Sequence, residues 1–157
     1  MRKIKTAFVG CGRISDHYKK LLITKKVKNI EVVATCDKNN KKAKKLAKVF
    51  NCKHYSSIKK LIENNGIDLI FLLTPSGLHF ENAKYILEKK INILIEKPTA
   101  FHSKEIKILS KIAKKNKLIA CTAFQNRFNP SIQYLRKCLN QNKFGKIITA
   151  LVRLRWC

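Results

Sequence analysis

Ala7-Phe8-Val9-Gly10-Cys11-Gly12-Arg13-Ile14-Ser15 is the stretch that decides the fold of this chain. Ala7 to Val9 close a short apolar run that begins at Thr6, and the glycines follow without a gap. Beyond them Ile14, Tyr18, Leu21 and Leu22 recur at helical spacing and fall on one face. Strand, glycine turn and helix in that order are the context in which G-x-G acts as a dinucleotide fingerprint. Gly10 permits the tight turn. Gly12 lets the backbone approach a pyrophosphate seated on the helix N-terminus, where unpaired N–H groups and the helix dipole favour an anion. Arg13 and Ile14 open the helix beside it. Ser15 stands where a third glycine or alanine is usual and is small enough for close helix-to-strand packing. The competing interpretation is a glycine turn with a purely structural role.

Outward from this unit, apolar runs alternate with stretches of helical period. Ile30 to Cys36, Ile67 to Thr74, Ile91 to Ile95 and Leu118 to Ala123 read as further strands, with Asn51 to Ser56 as a weaker one. Leu69-Ile70-Phe71-Leu72-Leu73 is apolar throughout, as a central parallel strand covered on both faces would be. Between the strands, Ala43, Leu46, Ala47 and Phe50 share a helical face, as do Ala83, Ile86 and Leu87, and Ile106, Leu109 and Ala113. The pattern predicts an α/β chain: a Rossmann-type doubly wound parallel sheet over residues 1–123, with its ligand crevice at the carboxyl ends of the strands. After Ala123 the pattern changes. Asn129-Pro130 reads as an N-cap with proline at the first helical position, and Ile132, Leu135 and Leu139 follow on one face with Gly145 beyond. From Lys146 the chain turns to strand alternation, with Val152, Leu154 and Trp156 on one side and Arg153 and Arg155 on the other. Residues 124–157 are thus expected to be a linker helix and the first strand of a truncated α+β open-sheet domain for substrate and oligomer contacts.

Asp37 ends the second strand, 25 positions after Gly12. A carboxylate there can hold both hydroxyls of the adenosine ribose and repels a 2'-phosphate, which favours NAD over NADP. Lys38 next to it weighs the other way. The plainer alternative is a turn or helix-capping Asp. Thr74-Pro75-Ser76-Gly77-Leu78-His79 and Glu96-Lys97-Pro98 end strands at the same edge. Lys97 breaks an apolar run instead of sitting on a lysine-rich helix, so it reads as a residue that can hold a sugar hydroxyl or carboxylate and polarise the carbon being oxidised, the plainer alternative being a solvated surface lysine.

Composition narrows the alternatives. The chain has 157 residues, 45% of them apolar, which suits one good domain. No apolar run reaches the roughly 20 residues needed to span a bilayer, and the basic start leads into no signal-like segment, so the expected place is the cytoplasm. A net charge of +26 invites a nucleic-acid interpretation. The lysines, however, are spread along helix-surface positions such as Lys41, Lys44 and Lys48, with no arginine stripe or aromatic platform. A basic nucleic-acid binder therefore ranks last. Six cysteines form no C-x-x-C pair and no zinc spacing, which argues against a disulfide framework or a metal site. Cys36 and Cys121 fall in strand-like runs, where a free thiol behaves as a small hydrophobe.

Taken in order, Gly10-Cys11-Gly12-Arg13-Ile14, Asp37, Thr74 to His79, Glu96-Lys97-Pro98, Arg127-Phe128-Asn129-Pro130 and Phe144-Gly145-Lys146-Ile147 resemble the Gfo/Idh/MocA oxidoreductases over essentially the whole chain. The resemblance implies Lys97 as the catalytic residue at the reacting carbon, with Pro98 in a cis peptide. It also implies that Thr74, Ser76, His79 and Glu96 line the NAD. Gln125 would approach the nicotinamide, with Asn126 and Arg127 at the substrate. Thr74 to His79 together with Gln125-Asn126-Arg127 is most similar to the sugar-nucleotide branch, whose members oxidise carbon 3 of UDP-N-acetylglucosaminuronate on the way to lipopolysaccharide sugars. Full-length members form oligomers and draw an Asp or His from a following sheet domain to stand beside the lysine. His17, His54 and His102 sit on the wrong elements to replace it. Two functions follow as expectations: the cofactor half of a sugar or nucleotide-sugar dehydrogenase, or an NAD-binding module that is inactive alone or works with a partner chain.

Overall fold

The computed structural model describes residues 2–24, 26–63 and 66–153, and the chain divides into two compact units, Met1–Ala123 and Phe124–Cys157. In the first unit the elements alternate as β1 (Ile4–Val9), α1 (Arg13–Ile23), β2 (Ile30–Cys36), α2 (Asn40–Phe50), β3 (Lys53–Tyr55), α3 (Ile58–Glu63), β4 (Leu69–Leu72), α4 (His79–Glu88), β5 (Asn92–Ile95), α5 (Ser103–Lys115) and β6 (Ala120–Thr122). All six strands are parallel, in the order β3-β2-β1-β4-β5-β6. The order reverses between β1 and β4, and such a switch point opens a crevice at the strands' carboxyl ends. The doubly wound α/β fold expected from the alternation is what the chain forms.

Period-two alternation of the strands sorts the core into two layers. Ala7, Val9, Ile70 and Leu72 face one side, packed with Leu61 of α3, Ala83, Ile86 and Leu87 of α4, and Leu109 and Ala113 of α5. Phe8, Phe71 and Leu73 face the other, against Leu46 of α2 and the partly buried Tyr18, Leu22 and Phe50. Phe8 and Phe71 are cross-strand neighbours with ring centroids 5.3 Å apart, and Phe50 stacks on Phe8 at 5.7 Å. Aromatic pairs at such distances contribute about 0.5–1.5 kcal/mol beyond the area they bury. Helix α2 is well delimited: the Asn39 side chain accepts hydrogen bonds from the N–H groups of Lys41 and Lys42, and Asn51 closes it in the left-handed region at φ 49°.

Some sequence expectations need correction. Ile14 and Leu21 of α1 and Ile106 of α5 point to solvent, because three-residue steps along so short an apolar stripe bring only Ser15, Tyr18 and Leu22, or Leu109 and Ala113, to the sheet. Cys121 is exposed, since β6 is a three-residue edge strand. Helix α3 had no counterpart in the sequence interpretation. Among the described residues no helix is long and apolar enough to cross a membrane.

The second unit holds a 3₁₀ turn (Gln125–Phe128) and α6 (Pro130–Asn140). Asn129 caps α6 as expected, its side chain accepting from the Ser131 N–H with Pro130 at the helix start. The expected apolar face of Ile132, Leu135 and Leu139 is largely exposed, and Cys138 is the buried residue of this helix. Residues 146–153 form no strand, and Leu154, Arg155, Trp156 and Cys157 lie outside the described residues. A strand exists by pairing its backbone with a neighbour, and no other strand is present among the described residues of this unit.

Candidate cofactor site

At the carboxyl ends of β1, β2 and β4 lies a cleft of about 1170 Å³. Its walls include Gly10, Gly12, Arg13 and Ile14 from the first turn, Asp37 and Lys38 after β2, and Thr74 after β4. Gly10 sits at φ +96° and donates its N–H to the Cys36 carbonyl at 2.8 Å. A Cβ on Gly10 would come within 2.6 Å of the Leu73 carbonyl group and 2.7 Å of the Thr74 nitrogen. Only glycine lets β1 leave the sheet this close to β4. At Gly12 the opposite holds, with nothing within 4 Å of an added Cβ. Gly12 is also the N-cap of α1 and brings no side chain to cap it, so the first N–H groups of an 11-residue helix open towards the cleft. An open space, uncapped N–H groups and a helix dipole suit a pyrophosphate. Four cations, Arg13, Lys38, Lys42 and Lys59, line the cleft around the single carboxylate of Asp37. That field favours an anionic ligand.

Asp37 makes the turn contacts that were the plainer alternative from sequence. Its Oδ2 accepts the Cys11 N–H at 2.8 Å and its Oδ1 accepts the Asn39 N–H at 2.8 Å. The carboxylate therefore ties the glycine turn to the start of α2. Each oxygen can accept a second hydrogen bond, and Asp37 lines the cleft, so a pair of ribose hydroxyls remains within its capacity. Burial, followed by the negative charge of Asp37, pushes the Cys11 and Cys36 thiols up to about 12, and burial raises Cys52 to about 11. These thiols stay protonated near neutral pH.

His79 is buried beside the cleft. It is 1% exposed, at the start of α4, with Nδ1 2.6 Å from the Pro98 carbonyl oxygen and Nε2 2.8 Å from the Thr74 carbonyl oxygen. Both ring nitrogens are within hydrogen-bond distance of backbone carbonyls, so the imidazole joins the loops after β4 and β5 and is not among the cleft-lining residues. A neutral ring donates to one of these oxygens at a time. Ser76 opens the 3₁₀ turn Ser76–Leu78 and is not among the cleft-lining residues.

Glu96 follows β5, and its N–H donates to the Leu72 carbonyl at 3.0 Å. Its Oε1 accepts the Tyr18 hydroxyl at 2.8 Å and its Oε2 the Lys97 N–H at 3.2 Å. The Lys97–Pro98 peptide is cis and Lys97 is exposed. Neither Glu96 nor Lys97 lines the cleft itself. Gln125, Asn126 and Arg127 belong to the second unit, where they form the 3₁₀ turn, with the Arg127 guanidinium 5.9 Å from the Phe124 ring. Of the residues singled out in sequence, the structure thus gathers Gly10, Gly12, Arg13, Ile14, Asp37 and Thr74 around one cavity. Ser56 and Ser57, from the connection between β3 and α3, and Lys59, in the first turn of α3, also line it and were not singled out from the sequence. The weak strand at 51–56 was the available signal, since the residues after any strand of a parallel sheet lie at the crevice.

A model of the Gfo/Idh/MocA oxidoreductases, described by their NAD-binding Rossmann fold, matches residues 4–124. Among curated proteins, the chain is 30% identical to a trans-1,2-dihydrobenzene-1,2-diol dehydrogenase of Xenopus laevis, over 91% of this chain and 44% of that protein. It is 26% identical to a UDP-N-acetylglucosamine 3-dehydrogenase of Acidithiobacillus ferrooxidans, over 87% of this chain and 42% of that protein. Among solved structures it resembles the WlbA dehydrogenase of Bordetella pertussis in complex with NADH and UDP-GlcNAcA, with a TM-score of 0.86, 28% identity, and coverage of 92% of this chain and 42% of that one. The chain spans less than half the length of these relatives. With its parallel sheet, glycine turn and acidic residue after β2, this chain belongs to the Gfo/Idh/MocA oxidoreductase family and carries that family's NAD-binding Rossmann fold.

Proposed function

We propose that this chain is the cofactor-binding half of an NAD-dependent dehydrogenase acting on a sugar nucleotide, with UDP-N-acetylglucosaminuronate oxidised at carbon 3. The observation that carries the cofactor part is the cleft in which Gly10, the uncapped start of α1 and Asp37 meet. In this assignment the N–H groups of Arg13 and Ile14 hold the pyrophosphate and Asp37 holds the ribose hydroxyls. Thr74 borders the same cavity further along. Lys97, at the end of β5, positions the hydroxyl of the reacting carbon and takes part in removing its proton. The bound NAD supplies the hydride acceptor. Asn126 and Arg127 are assigned to the substrate. The sugar-nucleotide choice is supported by the likeness to WlbA in complex with UDP-GlcNAcA and to a UDP-N-acetylglucosamine 3-dehydrogenase. A role in making lipopolysaccharide sugars follows from that substrate.

A second reading has one observation in its favour. Among the described residues no carboxylate lies within ion-pair distance of the Lys97 ammonium, and a lone lysine is a weak general base. The chain would then hold NAD and catalyse nothing by itself, or work with a partner chain. NADH formation from NAD decides between the two. Turnover with UDP-N-acetylglucosaminuronate that Lys97→Ala abolishes supports the dehydrogenase. NADH binding without turnover of any sugar supports the module, and turnover untouched by Lys97→Ala overturns the assigned role of that lysine.

A further inference from the structure

Tyr18 was picked out in sequence only as an apolar face residue of α1, yet its hydroxyl reaches a carboxylate 78 positions away. The ring is half-buried against Phe71, with centroids 5.5 Å apart, and the hydroxyl donates to Glu96 Oε1 at 2.8 Å. The other Glu96 oxygen accepts the Lys97 N–H. Glu96 is therefore clamped between a helix side chain and the main chain of the very next residue, while its backbone is held to β4 through the Leu72 carbonyl. The chain carries 35 lysines and arginines against nine acidic residues, so a free carboxylate beside Lys97 would draw in the adjacent ammonium. Ion pairs do form elsewhere, at Arg2–Asp68 and Lys19–Asp16. Glu96 and Lys97 are adjacent in sequence but make none.

We propose that Tyr18 is a positioning residue: it pins the Glu96 carboxylate against the Lys97 main chain and so keeps it off the Lys97 ammonium. This rests on the assignment of Lys97 to the reacting carbon, and adds what leaves its ammonium free for a substrate oxygen. Burial, reinforced by the Glu96 hydrogen bond, pushes the Tyr18 hydroxyl above its ordinary value, so it stays a proton donor throughout the working range. A permanent donor suits a clamp. A histidine or carboxyl in its place would release Glu96 as it titrated.

The test is competitive acetylation of the full chain at pH 8 without cofactor, with Lys97 and Lys104 followed by peptide mass spectrometry. Tyr18→Phe frees Glu96 to pair with the ammonium, favours its protonated form and slows Lys97 acetylation by about threefold or more, while Lys104 is unchanged. Adding Glu96→Gln to Tyr18→Phe restores the wild-type rate. Glu96→Gln alone changes it by less than about twofold, since the carboxylate is already held away. The proposal is overturned if Tyr18→Phe leaves Lys97 unchanged or accelerates it. It is equally overturned if Glu96→Gln alone accelerates Lys97 as much as the double variant exceeds Tyr18→Phe, an arm that stands even if Tyr18→Phe fails to fold. No arm depends on NADH, so this result is independent of the cofactor assignment.

Discussion

Gly10 is the residue on which the cofactor site turns, and its requirement is local. A φ of +96° and a Leu73 backbone that a Cβ would meet at 2.6 Å leave no other residue. Gly10→Ala is expected to lose about 1–3 kcal/mol from backbone strain alone, with the clash added, and urea denaturation would measure it. Gly12→Ala, with open space at its Cβ, should fold normally and show its effect on NADH affinity instead. Gly10, Gly12 and Asp37 could be read from sequence because neighbours along the chain or at a fixed strand end define them. His79 and Tyr18 could not. The His79 ring is claimed by the Pro98 carbonyl, 19 positions on, and Tyr18 by Glu96, and nothing local marks such partners. The partly and fully buried cysteines Cys11, Cys52 and Cys36 give a pH prediction. Their thiols ionise near 11 to 12 in the folded chain and near the ordinary thiol value when unfolded, so the folded value is the higher one. That stabilisation is complete below the unfolded value and is lost as pH rises from about 9 towards 12. Chemical denaturation at stepwise alkaline pH should show stability falling in that window, and Cys11→Ser, Cys36→Ala and Cys52→Ala together should flatten the fall.

At the scale of elements, caps and glycines located the helices and alternation located the strands. Asn39 and Asn129 each accept the backbone N–H groups expected of an N-cap, whereas α1 begins on Gly12 and leaves its N–H groups to the cleft. The contrast is what the proposed phosphate position requires, because a side-chain cap would occupy that space. Helical periodicity fared worse at single positions, since Ile14, Leu21 and Ile106 fit a stripe on paper while the sheet covers only part of each helix. Alternation at 146–157 promised a strand, and residues 146–153 have none, because pairing is set by partners and not by pattern. The layer between the sheet and α1 and α2 depends on the Phe8, Phe50 and Phe71 cluster. Phe8 is fully buried, so Phe8→Ala should cost about 3–5 kcal/mol in denaturation experiments while leaving the glycine turn's sequence intact.

For the whole molecule, charge is the dominant quantity. A net charge of +26 with two exposed ion pairs among the described residues leaves self-repulsion largely uncompensated. Thermal midpoints should rise as sodium chloride is increased from low to moderate concentration, since the Debye length contracts to about 10 Å at 0.1 M. A falling midpoint would mean that specific pairs outweigh repulsion. The same field should draw a dinucleotide into the cleft, where Arg13, Lys38, Lys42 and Lys59 surround Asp37. The doubly wound sheet and the family were legible from the ordered motifs, whereas α3 and the course of residues 146–153 were not, and the chain spans less than half the length of the relatives it matches. The measurement that bears most directly on the chain as an NAD-holding unit is a fluorescence titration of NADH into the wild type and Asp37→Ala. Saturable binding that weakens by about tenfold or more in Asp37→Ala is the expected result, from the loss of the ribose contacts and of the tie to Cys11. No saturable signal from the folded wild type up to millimolar NADH would contradict it.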